Sequence, residues 1–166
     1  MKWRLGPIYF WQRIVSPHMA GLAVALAQQG CNVVYVAEQL LSDDRARQGW
    51  TSPNLGMARL ELAPTAAAVR ALAQSAPADA THICQGIRSN GLVGTAQRTL
   101  AAHRRKQWVA METVEDAGCR GVLKRLEYQR LFRRWRHHLQ GVLATGSRTP
   151  AWVAHRGMPA DRVFPF

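Results

Sequence analysis

Polar residues follow the apolar, strand-like runs of this sequence in four short loops. These loops read QRIVSPH (12–18), GIRSNG (86–91), ETVED (112–116) and TGSRT (145–149). In an open sheet of parallel strands, the loops after the strands meet at one edge of the sheet, and ligands bind there. The sequence therefore predicts that any chemistry of this chain takes place in these loops.

Glu112 and His18 are the candidates for catalysis. Glu112 directly follows the apolar run WVAM. A carboxylate at the end of a strand is placed to act as a general base or to accept hydrogen bonds from hydroxyls. His18 lies at the start of the first predicted helix, where an imidazole can transfer protons or bond a hydroxyl. The competing interpretation for both residues is an ordinary polar group at a helix start.

Further polar side chains of the same loops are candidates for ligand binding: Arg13, Ser16, Arg88, Asn90 and Glu115. An arginine can pair with a phosphate through two N–H groups at once. The competing interpretations are a solvated loop charge for Arg13 and a helix cap for Glu115, because carboxylates are favoured at helix N-termini.

Several signatures of known sites are absent. The chain contains no GxGxxG, no GxxxxGK[ST] and no GxSxG, so the dinucleotide, P-loop and serine-nucleophile signatures are missing. The histidines lack the spacing of metal ligands, and we expect no metal site. The three cysteines lie far apart, which favours reduced thiols and a reducing compartment.

Strand-like runs alternate with helical patterns along the chain. The predicted strands are 8–11, 33–36, 58–62, 81–85, 108–111, 142–145 and 162–166. The predicted helices start at 17 and stop at Gly30, then span 64–74, 92–103, 122–139 and 150–156, with a long surface loop at 42–56 that has room for a helical turn. This alternation predicts one α/β domain over residues 1–166, a Rossmann-like three-layer sandwich with a mostly parallel sheet of roughly six or seven strands.

The chain is strongly basic, with a net charge of +12. Such a charge attracts polyanions: nucleic acid, anionic lipid or phosphorylated ligands. The helix predicted at 122–139 carries many arginines around an apolar stripe of Leu123, Leu126, Leu131, Trp135 and Leu139. That helix either packs on the core with a solvated basic face or lies on anionic lipid headgroups. Nucleic acid is not expected as a partner, because no recognition signature accompanies the charge.

The amino terminus, MKWR followed by apolar residues, imitates a signal peptide. Polar residues and Pro17 interrupt the apolar region, however, and a cleavable signal needs an uninterrupted one. There is also no run of about 20 apolar residues to span a bilayer. We therefore expect a cytoplasmic protein, with attachment to the inner face of the membrane as an option.

Three stretches together resemble the GT-B glycosyltransferases, in particular the retaining group 1, family 4-like enzymes that build bacterial surface polysaccharides. They are IYFWQRIVSPHMAGLAVALAQQGCNVVYVAE, QWVAMETVED and VLATGSRTPAWVAHRGMPADRVFPF. The resemblance covers almost the whole chain and rests on the order of these stretches. Where many members of the group carry a histidine after the fifth strand, this chain has Glu112.

The resemblance implies that the chain is the amino-terminal, acceptor-binding half of a glycosyltransferase. Arg13, Ser16, Arg88, Asn90 and Glu115 would then bind a glycan or lipid-linked acceptor. The nucleotide sugar would be bound mainly by a carboxyl-terminal domain that this chain lacks, so we expect no cofactor in the present domain and no sugar transfer by it alone. The alternative is a small basic α/β domain that binds nucleic acid or anionic lipid.

Overall fold

Seven parallel strands form one sheet in the part of the chain that the structure describes. The computed structural model describes residues 6–166. The strands are β1 Ile8–Gln12, β2 Val33–Ala37, β3 Arg59–Leu62, β4 Thr81–Gln85, β5 Gln107–Glu112, β6 Leu139–Thr145 and β7 Val163–Pro165. Their order in the sheet is β3-β2-β1-β4-β5-β6-β7, and all neighbours are parallel. The predicted α/β, Rossmann-like class is confirmed.

The helices connect consecutive strands. They are α1 Pro17–Gln28, α2 Asp43–Arg47, α3 Ala66–Ser75, α4 Val93–Ala102, α5 Gly118–Trp135 and α6 Thr149–Ala154. Pro17 is the first residue of α1, where its missing N–H would have no partner in any case. Thr65 caps α3, because its hydroxyl accepts a hydrogen bond from Ala68 N at 3.2 Å. Helix α2 is a short helix of five residues inside the segment 42–56, the predicted surface loop with room for a helical turn.

Two helical layers cover the two faces of the sheet. Helix α1 packs on the face that carries Phe10 and Ile83. Helices α3 to α6 pack on the other face. This face carries one row of side chains across the sheet: Trp11 of β1, Cys84 of β4, Val109 of β5 and Val142 of β6. The strands between these layers are almost continuous apolar runs, as expected for strands buried on both sides.

Helix α5 differs from its prediction in both position and orientation. It spans Gly118–Trp135 and not 122–139, and Leu139 already belongs to β6. The buried face consists of Gly121, Tyr128, Phe132 and Trp135, whereas Leu123 and Leu126 are exposed. The predicted stripe is therefore wrong at Leu123 and Leu126, whereas its member Trp135 does lie on the buried face.

The strand order reverses direction between β1 and β4, which are neighbours although β2 and β3 lie between them in sequence. In doubly wound sheets, such a reversal opens a crevice at the carboxyl ends of the strands, and ligands bind there. Within residues 6–166, no helix is both long enough and apolar enough to cross a membrane.

Candidate functional site

A cleft of about 380 Å³ opens at the carboxyl ends of the central strands, beside the reversal of strand order. This volume falls in the range of sites for small organic ligands. The polar residues that line the cleft are Gln12, Ser16, His18, Arg45, Gln85, Arg88, Asn90, Glu112, Tyr128 and Thr145. They come from the carboxyl ends of β1, β4, β5 and β6, from the loops that follow β1 and β4, and from α1, α2 and α5.

The cleft brings together five of the seven residues singled out from the sequence. These are the two candidates for catalysis, Glu112 and His18, and three candidates for binding, Ser16, Arg88 and Asn90. The side chains of Glu112 and His18 are exposed. Their chemical roles stay predictions.

Arg13 and Glu115 lie outside the lining of the cleft. The guanidinium of Arg13 is 3.9 Å from the carboxylate of Glu38, and its backbone N–H donates to Gln85 Oε1 at 3.0 Å. Glu115 Oε1 accepts a hydrogen bond from Ala117 N at 3.0 Å, just before α5 begins. Glu115 thus has the local contact that its competing interpretation as a helix-start residue expects.

Gln12 is the residue of the site that sequence reasoning missed. It is only 2% exposed, and neither atom of its carboxamide has a hydrogen-bond partner among the described residues. Its side chain follows Ile8 and Phe10 in the alternation of β1, which directs it to the α1 side of the sheet. Buried polar groups are nearly always satisfied by protein, water or ligand, so this carboxamide has capacity for hydrogen bonds to a molecule in the cleft. The available signal was a polar residue closing an otherwise apolar strand.

The two arginines of the cleft differ in their surroundings. Arg88 donates to Glu127 Oε1 at 3.0 Å, and its guanidinium lies 5.9 Å from the centre of the Tyr128 ring. Arg45 lies 5.1 Å from the ring centre of Trp50 and forms no ion pair within residues 6–166. Arg45 is therefore the cation of the cleft whose charge is free to act on a ligand.

Tyr128 contributes a neutral hydroxyl to the cleft. Burial raises the pKa of Tyr128 above its ordinary value, and the nearby charge of Arg88 opposes this only in part. The phenol therefore stays protonated at neutral pH and remains a hydrogen-bond donor.

The loop after β5 is fastened to α6. Asp116 accepts hydrogen bonds from Trp152 Nε1, at 3.0 Å, and from the guanidinium of Arg156, which lies 4.0 Å from the Trp152 ring centre. The hydrogen bond from Trp152 is the largest of the effects that lower the pKa of Asp116, and Arg156 adds to it. Thr113 N donates to Thr149 Oγ1 at 3.0 Å. These contacts hold the segment between Glu112 and α5 against the cleft.

In dinucleotide-binding folds, the backbone of a glycine-rich loop after the first strand binds the pyrophosphate of the dinucleotide. The loop after β1 does not fit this role. The N–H groups of Arg13, Val15 and Ser16 donate to Gln85 Oε1, Leu40 O and Tyr35 Oη. Pro17 has no N–H to offer. The backbone donors of this loop are thus used inside the protein.

Glu38 follows β2, where doubly wound sheets often place a carboxylate for ribose hydroxyls. Here the carboxylate accepts a hydrogen bond from Leu92 N, just before α4, and faces Arg13. A β-carbon on Gly91 would lie 2.4 Å from its Oε1, so the backbone closes tightly around this group. Glu38 has protein partners already.

Comparison with known proteins gives structural matches only. No protein-family model matches the chain, and no curated protein does. Among solved structures, an NADH-dependent reductase complexed with NAD matches with 11% identity and a TM-score of 0.49, over 97% of this chain and 95% of that one. A short-chain dehydrogenase/reductase family protein matches with 17% identity and a TM-score of 0.45, over 96% and 84%. Serine dehydrogenase from Escherichia coli matches with 12% identity and a TM-score of 0.46, over 96% of each chain.

These matches contradict the resemblance to GT-B glycosyltransferases, because they are to oxidoreductases. The predicted acceptor-binding function, the glycosyltransferase activity and the role in polysaccharide synthesis are therefore wrong. The alternative, a domain that binds nucleic acid or anionic lipid, finds no support among them either. The expectation of a domain without a cofactor is contradicted too, since one matched structure contains NAD. At such identities the likeness concerns the fold and assigns no activity to this chain.

Proposed function

We propose that this chain is a ligand-binding domain whose cleft binds a small hydroxylated organic anion. The observation that carries the proposal is Gln12, a buried carboxamide that lines the cleft without a hydrogen-bond partner among the described residues. A ligand hydroxyl could accept from its Nε2 and donate to its Oε1, which would satisfy both atoms. The position at the reversal of strand order supports the same site.

The charges around the cleft favour an anionic ligand. Arg45 supplies a cation without an ion pair among the described residues, and the first turn of α1, with His18 and Met19, supplies backbone N–H groups that have no partner inside the helix. The neutral hydroxyl of Tyr128 and the carboxamides of Gln85 and Asn90 add donors and acceptors for hydroxyl groups. A carboxylate or phosphate on a compact hydroxylated body fits this lining.

Glu112 and His18 are the groups that we propose for proton transfer to or from the bound ligand. Both line the same cleft. A carboxylate and an imidazole are common partners in acid–base catalysis near neutral pH.

We also propose that the protein is located in the cytoplasm. All three cysteines are free thiols, as expected in a reducing compartment.

The proposal is tested by calorimetric titration of the purified protein with hydroxy acids, sugar phosphates, nucleoside monophosphates, NAD⁺ and NADH. We expect one of these classes to bind. Gln12→Leu should then weaken its binding by about tenfold or more, because a hydrogen-bonded carboxamide is lost. Glu112→Gln should weaken the binding of a ligand whose hydroxyl donates a hydrogen bond to the carboxylate.

Gln107→Leu is the matched control. Gln107 is also a buried glutamine on a central strand, but it begins β5, at the opposite end from the cleft. Gln107→Leu should therefore leave ligand binding unchanged. If no class binds, or if the bound class is held equally well by Gln12→Leu, the cleft is not the binding site.

A further inference from the structure

A second concave surface lies between the outer sides of α3 and α4. This groove encloses about 320 Å³ and shares no residue with the cleft. The two helices lie side by side because Val69 of α3 packs in the same core cluster as Ala96 and Leu100 of α4. Outward residues of both helices line the groove.

The groove is lined by three basic residues and no acidic one. Arg70 comes from α3, Arg98 from α4, and His103 from the end of α4, and all three are exposed. Neither α3 nor α4 contains an aspartate or glutamate. Within residues 6–166, Arg70 and Arg98 form no ion pair. The positive charge of the groove is therefore not neutralised by the protein.

Hydrogen-bonding groups accompany these charges. On α3, Gln74 lies one helical turn after Arg70, and on α4 Thr95 and Thr99 flank Arg98. Arg98 Nη2 donates to Thr95 Oγ1 at 3.3 Å, which orients the guanidinium along α4. This contact uses one of the five N–H groups of Arg98, so the others can bind a ligand.

We propose that this groove binds a phosphomonoester. Two guanidinium groups can each give paired hydrogen bonds to phosphate oxygens, and a dianion gains more from two cations than a carboxylate does. His103 and Gln74 can donate to the remaining oxygens. The groove is open, so the phosphate defines the ligand class, and the organic part of the ligand stays partly in solvent.

The test uses ¹H–¹⁵N NMR titration of the full chain with inorganic phosphate and with glucose 6-phosphate, and with glucose as the uncharged control. We expect saturable shifts of the amides of Thr95, Thr99 and His103 with both phosphates and none with glucose. Arg70→Gln combined with Arg98→Gln should weaken binding by about tenfold or more, as expected for lost charge-assisted hydrogen bonds.

Arg130→Gln combined with Arg134→Gln is the matched control. Both arginines are exposed on α5, so these substitutions remove the same amount of charge at a different place on the surface. It should keep the affinity within about twofold, since distant surface charges are largely screened. An equal loss in this control would show attraction by bulk charge and overturn the proposal. Absence of saturable shifts, or shifts confined to Gln12 and Glu112, would overturn it as well, the second by assigning phosphate to the cleft.

Discussion

His82 is a buried histidine in the middle of the sheet. Its Nδ1 accepts a hydrogen bond from Trp11 Nε1 at 3.1 Å, and its ring lies 5.2 Å from the ring of Tyr9. Burial lowers the pKa of His82 to about 4, and the charge of Arg105 adds to the effect. The imidazole is therefore neutral in the folded protein at neutral pH, and its role is to complete the aromatic packing around β1.

We expect His82 to make folding stability depend on pH. Its folded pKa of about 4 lies below the ordinary value of 6.5, so the unfolded chain binds more protons between these values. The contribution is present above pH 6.5 and is lost as the pH falls towards 4, by on the order of 3 kcal/mol. Urea unfolding at several pH values measures this slope. His82→Gln should flatten it, and an unchanged slope would assign the effect to other groups.

At the scale of single residues, the sequence predicted the exposed part of the site better than its buried part. Glu112 and His18 stand at the ends of clear apolar runs, and the cleft contains both. Gln12 was missed because a polar residue at the end of a strand looks like the first residue of a loop. The contact of Glu38 with Leu92 N could not be predicted either, because no local pattern places the start of α4 beside the end of β2.

Helix α5 shows how a local pattern can indicate the wrong face. Leucines and aromatic residues both recur at helical spacing along it, so the sequence allows two apolar stripes. The face with Tyr128, Phe132 and Trp135 is buried, because aromatic side chains remove more surface from water than leucines do. The result leaves Leu123 71% exposed, whereas Phe132 is fully buried.

Two alanine substitutions test the orientation of α5. Phe132→Ala should lower the free energy of unfolding by about 3 to 5 kcal/mol, because it leaves a cavity in the core. Leu123→Ala should change it by less than about 0.5 kcal/mol, as expected for an exposed residue. Chemical denaturation measures both values. A larger loss for Leu123→Ala than for Phe132→Ala would restore the leucine face as the buried one.

The loop between β5 and α5 gives a second prediction at this scale. Asp116→Ala removes the acceptor for Trp152 Nε1 and Arg156, so amides 113–117 should exchange with deuterium faster while the sheet stays protected. Any ligand of the cleft should bind more weakly, since Glu112 and Val114 lose their support. Glu115→Ala is the control from the same loop, because its carboxylate contacts only Ala117 N within the described hydrogen bonds. Equal exchange in the two variants would rule out Asp116 as the anchor.

For the whole molecule, the alternation of strands and helices was enough to predict the class of fold. Seven strand regions were predicted, and all seven are present. Six of them lie within one or two residues of the predicted bounds, whereas β6 begins earlier, at Leu139. That early start depends on pairing with Gln107 of β5, where the register is irregular. Such a contact lies outside any local window of sequence, and the same is true of the strand order that creates the cleft.

The reversal of strand order also has a consequence for how the chain matures during synthesis. Strands β1 to β3 form one side of the sheet and are synthesised before β4 to β7. The cleft is lined from both sides of this reversal, by Gln12 of β1 and by Gln85 of β4. A chain without β4 to β7 therefore lacks part of the cleft lining, and the ligand proposed above would stabilise only molecules in which β1 and β4 have paired.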